Sequence, residues 1–160
     1  GDRIRETLFN WLAADIPGSR CLDLFSGSGA LCFEALSRGA AHCLALEQHP
    51  QAISCLTETK ALLDASELTI AHQDTLKYLQ QKPDKPFDIV FVDPPFDLNL
   101  ITEVCSLLEK NGWVASGGAV YCELPAQQND FAPPANWQVL RNKASSGVNY
   151  ILFSRIEPTA

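Results

Sequence analysis

The sequence of 160 residues contains no methionine, relatively few cations and no long apolar run. No apolar stretch approaches the ~18–20 residues of a membrane span, and no basic start followed by an apolar core marks a signal peptide. We therefore expect no membrane association and a cytoplasmic location. The net charge of −7, from 12 Lys and Arg against 19 Asp and Glu, is the wrong sign for a protein that holds nucleic acid by phosphate neutralisation alone. Any role on nucleic acid must depend on local chemistry.

The cysteines lack the spacing of a metal site or a redox motif. None of the six falls in a C-x-x-C pair, and the three histidines form no zinc-type spacing with them. Several of them lie inside apolar stretches, where a free cysteine behaves as a small hydrophobic residue. We expect reduced, mostly buried thiols and no bound metal.

The length and the periodicity predict one domain, residues 1–160, of the α/β class. Domains usually have about 100–200 residues, so a second folded unit has no room. Short apolar runs alternate with helical patterns, which is typical of a parallel sheet covered by helices on both faces. The predicted strands are 21–25, 42–47, 68–72, 87–92 and 120–124, and the predicted helices are 3–13, 30–37, 50–63, 75–81 and 98–110. Two further strands, 137–143 and 150–156, have no helix between them and predict a C-terminal antiparallel hairpin.

Residues 23–29, Asp-Leu-Phe-Ser-Gly-Ser-Gly, join the first predicted strand to the next helix. Closely spaced glycines at this point let backbone N–H groups and a helix N-terminus meet a bound ligand. The dinucleotide fingerprint has a third glycine where this chain has Cys32. A simple tight turn is the alternative interpretation, so the motif needs support from its surroundings.

Acidic residues at the ends of neighbouring strands supply that support. Glu47 ends the second predicted strand, 18 residues after Gly29, where a carboxylate can accept hydrogen bonds from both ribose hydroxyls. Asp74 ends the third strand, and Asp23 ends the first. No Lys or Arg stands beside Glu47 to bind a 2′-phosphate. The pattern predicts a nucleoside site that suits a sulfonium-bearing cofactor better than a phosphate-rich one.

Asp93-Pro94-Pro95-Phe96 directly follows the buried strand 87–92. The prolines fix the backbone and remove its N–H donors, while an acid and an aromatic ring are presented side by side. An acceptor side chain with an outward-facing carbonyl can hold an exocyclic amino group, and the ring can stack on the base. A strand-to-loop turn with a packed phenylalanine is the alternative.

Together, these motifs resemble those of the S-adenosylmethionine-dependent amino-methyltransferases. Residues 2–12, 27–31 and 34–39 resemble more narrowly the bacterial 16S ribosomal RNA guanine-N2 methyltransferases of the small subunit. The resemblance covers nearly the whole chain and implies a Rossmann-like methyltransferase fold, with a seven-stranded, mainly parallel sheet and a C-terminal antiparallel hairpin. It also implies S-adenosylmethionine as the cofactor and one guanine of the small subunit, or of its assembly intermediate, as the substrate. We expect a monomer.

The resemblance assigns roles to particular residues. Asp23, Phe25, Gly27, Gly29, Glu47 and Asp74 would bind the cofactor. Among these, the two glycines would approach its methionine portion, Glu47 its ribose and Asp74 its adenine. Asp93 and the Pro94 carbonyl would hold the guanine N2 amino group, beside Pro95 and under a stacking Phe96.

Three other functions fit parts of the sequence. A DNA adenine-N6 or cytosine-N4 amino-methyltransferase uses similar tetrads, but the chain has no separate sequence-reading domain. A nicotinamide-dependent oxidoreductase is disfavoured by Cys32 and by the tetrad. A catalytically silent ribosome-binding module would not require an intact tetrad.

The missing methionine also leads us to expect that the basic segment preceding the first helix in the family is missing here.

Overall fold

The computed structural model describes residues 2–95 and 99–159, which form five helices and seven strands in these ranges. The helices are α1 (Asp2–Trp11), α2 (Ala30–Ser37), α3 (Pro50–Leu63), α4 (Thr75–Leu79) and α5 (Ile101–Lys110). The strands are β1 (Arg20–Asp23), β2 (His42–Glu47), β3 (Leu68–His72), β4 (Phe87–Val92), β5 (Val114–Pro125), β6 (Trp137–Ser145) and β7 (Val148–Arg155).

The seven strands form one sheet in the order β3-β2-β1-β4-β5-β7-β6. The first five strands in the chain pair in parallel. Strand β7 is antiparallel to both β5 and β6, so the last two strands form the hairpin that the sequence predicts. The predicted fold class is confirmed, and the sheet order reverses between β1 and β4, the point at which open α/β sheets bind ligands.

Helices cover both faces of the sheet because successive side chains of each strand point to opposite faces. On one face, Phe91 and Tyr121 pack with buried residues of α1, α2 and α3, including Phe9. On the other face, Val92 and Val120 pack with buried residues of α4 and α5. We call these the α1 face and the α5 face.

Strand β5 is longer than predicted. It begins at Val114, not at residue 120, and its pairing with β4 shifts register between Phe87 and Ile89. Gly117, with φ of 76°, and Gly118 lie in the inserted stretch. Glycines weaken a strand interior and mark irregular pairing, which is why this stretch looks like a loop in the sequence.

Both hairpin strands extend further toward their turn than predicted, β6 to Ser145 and β7 from Val148, so their connection is shorter. Ser146 and Gly147 have φ of 53° and 78°. Two central residues with positive φ are typical of the tight turns whose twist matches the flanking strands. Smaller differences occur elsewhere, since β1 ends at Asp23 and α4 at Leu79.

Strand β6 lies at one edge of the sheet. Val139 and Leu140 are exposed there, and the pairing with β7 is irregular between Val139 and Arg141. Arg141 and Lys143 are exposed on the same strand. The edge is therefore partly apolar and partly cationic.

Five of the six free cysteines are buried, as expected, whereas Cys55 is exposed on α3. Within residues 2–95 and 99–159, no helix has the length and apolar character needed to cross a bilayer.

Helix α1 should contribute strongly to stability through Phe9, which is fully buried and lies 6.0 Å from the Phe91 ring. We expect Phe9→Ala to lower the free energy of unfolding by about 3–5 kcal/mol because it removes a buried ring and leaves a cavity. Leu62→Ala is the control, since Leu62 is 85% exposed, and should change it by less than about 0.5 kcal/mol. Urea unfolding of both variants tests this, and equal midpoints would show that α1 adds little.

Candidate functional site

A cavity of about 430 Å³ opens at the carboxyl ends of the parallel strands. Seven of the residues singled out in the sequence line it: Phe25, Gly27, Glu47, Asp74, Asp93, Pro94 and Pro95. The glycine turn and the acid-proline-proline segment therefore meet at one cavity, although Gly27 and Asp93 are 66 positions apart in the sequence. Its volume lies within the roughly 300–1,000 Å³ of small-molecule sites.

Glu47 joins the two turns that follow β1 and β2. Its Oε1 accepts a hydrogen bond from the Gly27 amide at 2.8 Å. Its Oε2 accepts from the amides of Gln48 at 3.1 Å and His49 at 3.0 Å. The residue is only 8% exposed, so these bonds are made in a water-poor setting. Glu47 therefore shapes the cavity wall in addition to lining it.

The two glycines of the turn have different surroundings. Both have positive φ, 54° at Gly27 and 86° at Gly29. Gly27 lines the cavity, and a Cβ there would meet nothing within 4 Å. A Cβ at Gly29 would lie 2.6 Å from side-chain atoms of Leu56 and Phe33. Gly29 is thus required for packing at the start of α2, and it lies behind the cavity wall.

Asp23 is buried behind the same turn. It is 2% exposed, and its Oδ2 has no hydrogen-bond partner among the described residues. Burial raises its pKa to about 7, and the charges of Asp93 and Glu47 act in the same direction. An acceptor left unpaired in such a place favours a ligand that brings a hydrogen-bond donor or a positive charge.

Asp74 lies two residues after the end of β3 and directly before the first residue of α4. Its side chain accepts a hydrogen bond from the Lys77 amide at 3.1 Å, so it caps the helix. The next residue, Thr75, donates a hydrogen bond to the Leu24 carbonyl at 2.6 Å and ties α4 to the end of β1. Asp74 also lines the cavity, so the same side chain caps α4 and remains beside the predicted cofactor site.

Asp93 directly follows β4, with Pro94 and Pro95 beside it on the cavity wall. Burial, together with the smaller effect of the neighbouring Glu123 carboxyl, raises the pKa of Asp93 to about 7. The two prolines leave their backbone nitrogens without donors, so the local backbone offers carbonyl acceptors only. Phe96, the fourth residue of the tetrad, lies outside the described residues.

Sequence reasoning missed several side chains at this edge of the sheet. His49, Ala52, Thr75 and Leu76 line the cavity from the first turns of α3 and α4. Their positions just after strand ends were a usable signal, because ligands of open α/β sheets lie outside those ends. Glu123 gave no signal, since it lies within the apolar end of β5 and becomes relevant only because β5 neighbours β4.

The family model described as "Conserved hypothetical protein 95" matches residues 1–154. Among curated proteins, the ribosomal RNA small subunit methyltransferase D of Escherichia coli K12 is 43% identical over 154 residues, which are 96% of this chain and 77% of that protein. The protein of the same name from Haemophilus influenzae is 40% identical over 156 residues and is covered to 80%.

Two solved structures that resemble this chain also carry the names of methyltransferases. A candidate methyltransferase from Escherichia coli, yhhF, superposes with a TM-score of 0.95 at 42% identity, covering 99% of this chain and 88% of that one. A candidate methylase from Haemophilus influenzae, HI0767, gives a TM-score of 0.89 at 39% identity and covers 98% of both chains. The chain therefore belongs to the Conserved hypothetical protein 95 family and, within it, to the methyltransferases that include ribosomal RNA small subunit methyltransferase D.

Proposed function

We propose that this protein transfers a methyl group from S-adenosylmethionine to the exocyclic N2 amino group of a guanine in 16S ribosomal RNA of the small subunit. The observation that carries the proposal is the single cavity shared by Glu47 and Gly27 on one side and by Asp93 and Pro94 on the other. Relatives named for small-subunit ribosomal RNA methylation support the substrate class. Such a substrate also favours a cytoplasmic monomer that acts on the subunit or its assembly intermediate.

The residues present fit S-adenosylmethionine. Glu47 is an acidic side chain at the end of β2, beside the cavity and suited to ribose hydroxyls. Ala52 and Leu76 offer apolar wall for an adenine ring, with Asp74 as an acceptor for its amino group. Asp23, with its unpaired buried oxygen, suits the positive charges of the donor. When bound, the cofactor supplies an electrophilic methyl group on a positively charged sulfur.

Asp93 and the carbonyl of Pro94 would position the amino group of the base. Two acceptors can take both N2 hydrogens and direct the nitrogen lone pair into the cavity. Such alignment supplies most of the acceleration in a displacement of this kind. From the sequence, Phe96 would stack on the base. The aromatic amine needs little help to lose its proton afterwards, so we assign no dedicated general base.

The cations that we propose for the RNA backbone are not among the residues that line the acidic cavity. Arg141 and Lys143 are exposed on β6, and Arg3 is exposed on α1. Arg5 lies on the same helix. We propose that these side chains contact phosphates, because the net charge of −7 would otherwise oppose an RNA surface.

The first test of the cofactor site is Glu47→Ala. Hydrogen bonds to a charged acceptor contribute about 1.5–3 kcal/mol each, so loss of the ribose contacts should weaken S-adenosylmethionine binding at least tenfold. The substitution also removes the partner of the Gly27 amide, so a modest loss of stability should accompany it. Calorimetric titration measures the affinity, and circular dichroism checks the fold. An affinity equal to that of the parent protein contradicts the assignment.

Cofactor affinity should rise with pH between about 5.5 and 7.5. The pKa of Asp23 is about 7 in the free protein, so this carboxyl is largely protonated at the acid end of this range. A cationic ligand stabilises its ionised form, and binding therefore releases a proton. The affinity should change by up to about tenfold per pH unit.

Asp23→Asn should flatten that pH profile, because the amide cannot titrate. The exposed Asp84 lies in the loop before β4, at the opposite end of the sheet, and Asp84→Asn should leave the profile unchanged. Titrations of the three proteins at matched ionic strength make the comparison. A steep profile that persists in Asp23→Asn would show that another group is responsible.

Asp93→Ala should separate cofactor binding from chemistry. S-adenosylmethionine affinity should stay within a few-fold of the parent value, whereas single-turnover methyl transfer to saturating small subunits should fall by roughly 10²–10³. Asp84→Ala is the matched control and should retain the parental rate. Labelled cofactor shows transfer, and mass spectrometry of digested RNA identifies the methylated base.

The same assay tests the proposed function as a whole. Duplex DNA should accept no label from the parent protein. Label on adenine or cytosine of DNA would favour the DNA methyltransferase alternative. Parental transfer by Asp93→Ala would show that the tetrad is only a turn.

A further inference from the structure

Strand β5 brings a second acid next to Asp93. Val92 of β4 is in register with Cys122 of β5, so the residues that follow, Asp93 and Glu123, are neighbours across the sheet. Phe91 and Tyr121 both point to the α1 face, and the two-residue repeat of a strand places Glu123 on that face as well. Glu123 also shares a small crevice with Pro94 and Pro95. It therefore adjoins the acid-proline-proline segment.

Glu123 is held in place by its own strand. The Tyr121 hydroxyl, which is buried, donates a hydrogen bond of 2.9 Å to Glu123 Oε2. Tyr150 of β7 is paired opposite Glu123, so Glu123 is flanked on both sides by neighbouring strands. A hydroxyl bonded to one oxygen of a carboxylate restricts its rotation and leaves its acceptor capacity available to a ligand.

The neighbouring carboxyls of Asp93 and Glu123 favour a ligand with several hydrogen-bond donors. Burial raises the pKa of Glu123, whereas the bond from Tyr121 lowers it. Asp93 and Glu123 repel each other when both are ionised. Hydrogen-bond donors that pair with both carboxylates would offset this repulsion.

We propose that Glu123, oriented by Tyr121, reads the substrate base by accepting the N1–H of guanine while Asp93 accepts from the N2 amino group. This inference rests on the proposed function and adds the residue that selects the base. Guanine carries an N1–H donor next to its amino group. The amino groups of adenine and cytosine instead adjoin an unprotonated ring nitrogen, whose lone pair would face the Glu123 carboxylate. The pair of acids therefore accepts guanine and disfavours the other two bases.

The test replaces the target guanine by 2-aminopurine, which keeps the 2-amino group but has an unprotonated N1. The target is first mapped with the parent protein, and subunits are then reconstituted with either base at that position. The parent protein should prefer guanine in kcat/KM by roughly 5- to 150-fold, the usual range for one good base contact. Glu123→Gln should reduce that preference at least fivefold, because the amide can donate to the bare N1.

Two further variants make the test decisive. Glu58→Gln, on the exposed face of α3, is the matched control and should keep the parental preference. Tyr121→Phe removes the hydroxyl that orients Glu123 and should reduce the preference partially, which also covers the case in which Glu123→Gln does not fold. Binding of S-adenosylmethionine, measured by calorimetry without RNA, should be unchanged in all three.

The outcomes separate this inference from the proposed function. If the parent protein methylates guanine and Glu123→Gln or Tyr121→Phe keeps the full preference over 2-aminopurine, the base-reading role is overturned and the proposed function stands. If the parent protein transfers no methyl group to small-subunit RNA, the proposed function fails and this inference fails with it. A lowered preference with intact cofactor binding supports the assignment.

Discussion

The Glu47 carboxylate is the interaction on which the geometry of the cavity depends. It accepts hydrogen bonds from the amide of Gly27 after β1 and from the amides of Gln48 and His49 after β2. Two turns that would otherwise be independent loops are thereby fixed to each other. Because β1 is also paired with β4, that connection positions the glycine turn relative to Asp93. The proposed donor and acceptor sides therefore face one cavity without any long loop to align them.

Most of the fold could be predicted because most of its strands are marked by one pattern, a short apolar run. Strands β2, β3 and β4 are short apolar runs bounded by turns, and their ends agree with the prediction. The prediction from sequence was wrong where the local conformational preference of the residues disagrees with their tertiary pairing. Gly117 and Gly118 favour a loop, yet pairing of the flanking Val114 and Ala119 with β4 keeps them within β5. Packing against a neighbouring strand can override local preference, and no single segment carries that information.

Only part of the candidate site could be predicted from the sequence. Asp23, Glu47 and Asp93 follow apolar runs directly, and their position at strand ends is readable from the sequence. Glu123 is not readable in this way, because its closeness to Asp93 depends on β5 being the next strand after β4 in the sheet. The capping bond of Asp74 and the packing of Gly29 against Leu56 and Phe33 also needed three-dimensional contacts. Sequence alone predicts which residues reach the edge of the sheet, but not which of them also support its turns.

The exposed edge strand β6 has a consequence for solubility. An open strand edge with apolar side chains is a template on which a second chain can add a strand, and such addition leads to aggregation. Val139 and Leu140 create this hazard, but the pairing irregularity between Val139 and Arg141 bends the edge locally. Arg141 and Lys143 place positive charges along the same strand, so two identical edges would repel each other. The residues that we propose for RNA phosphates would thus also oppose self-association of the free protein through this edge.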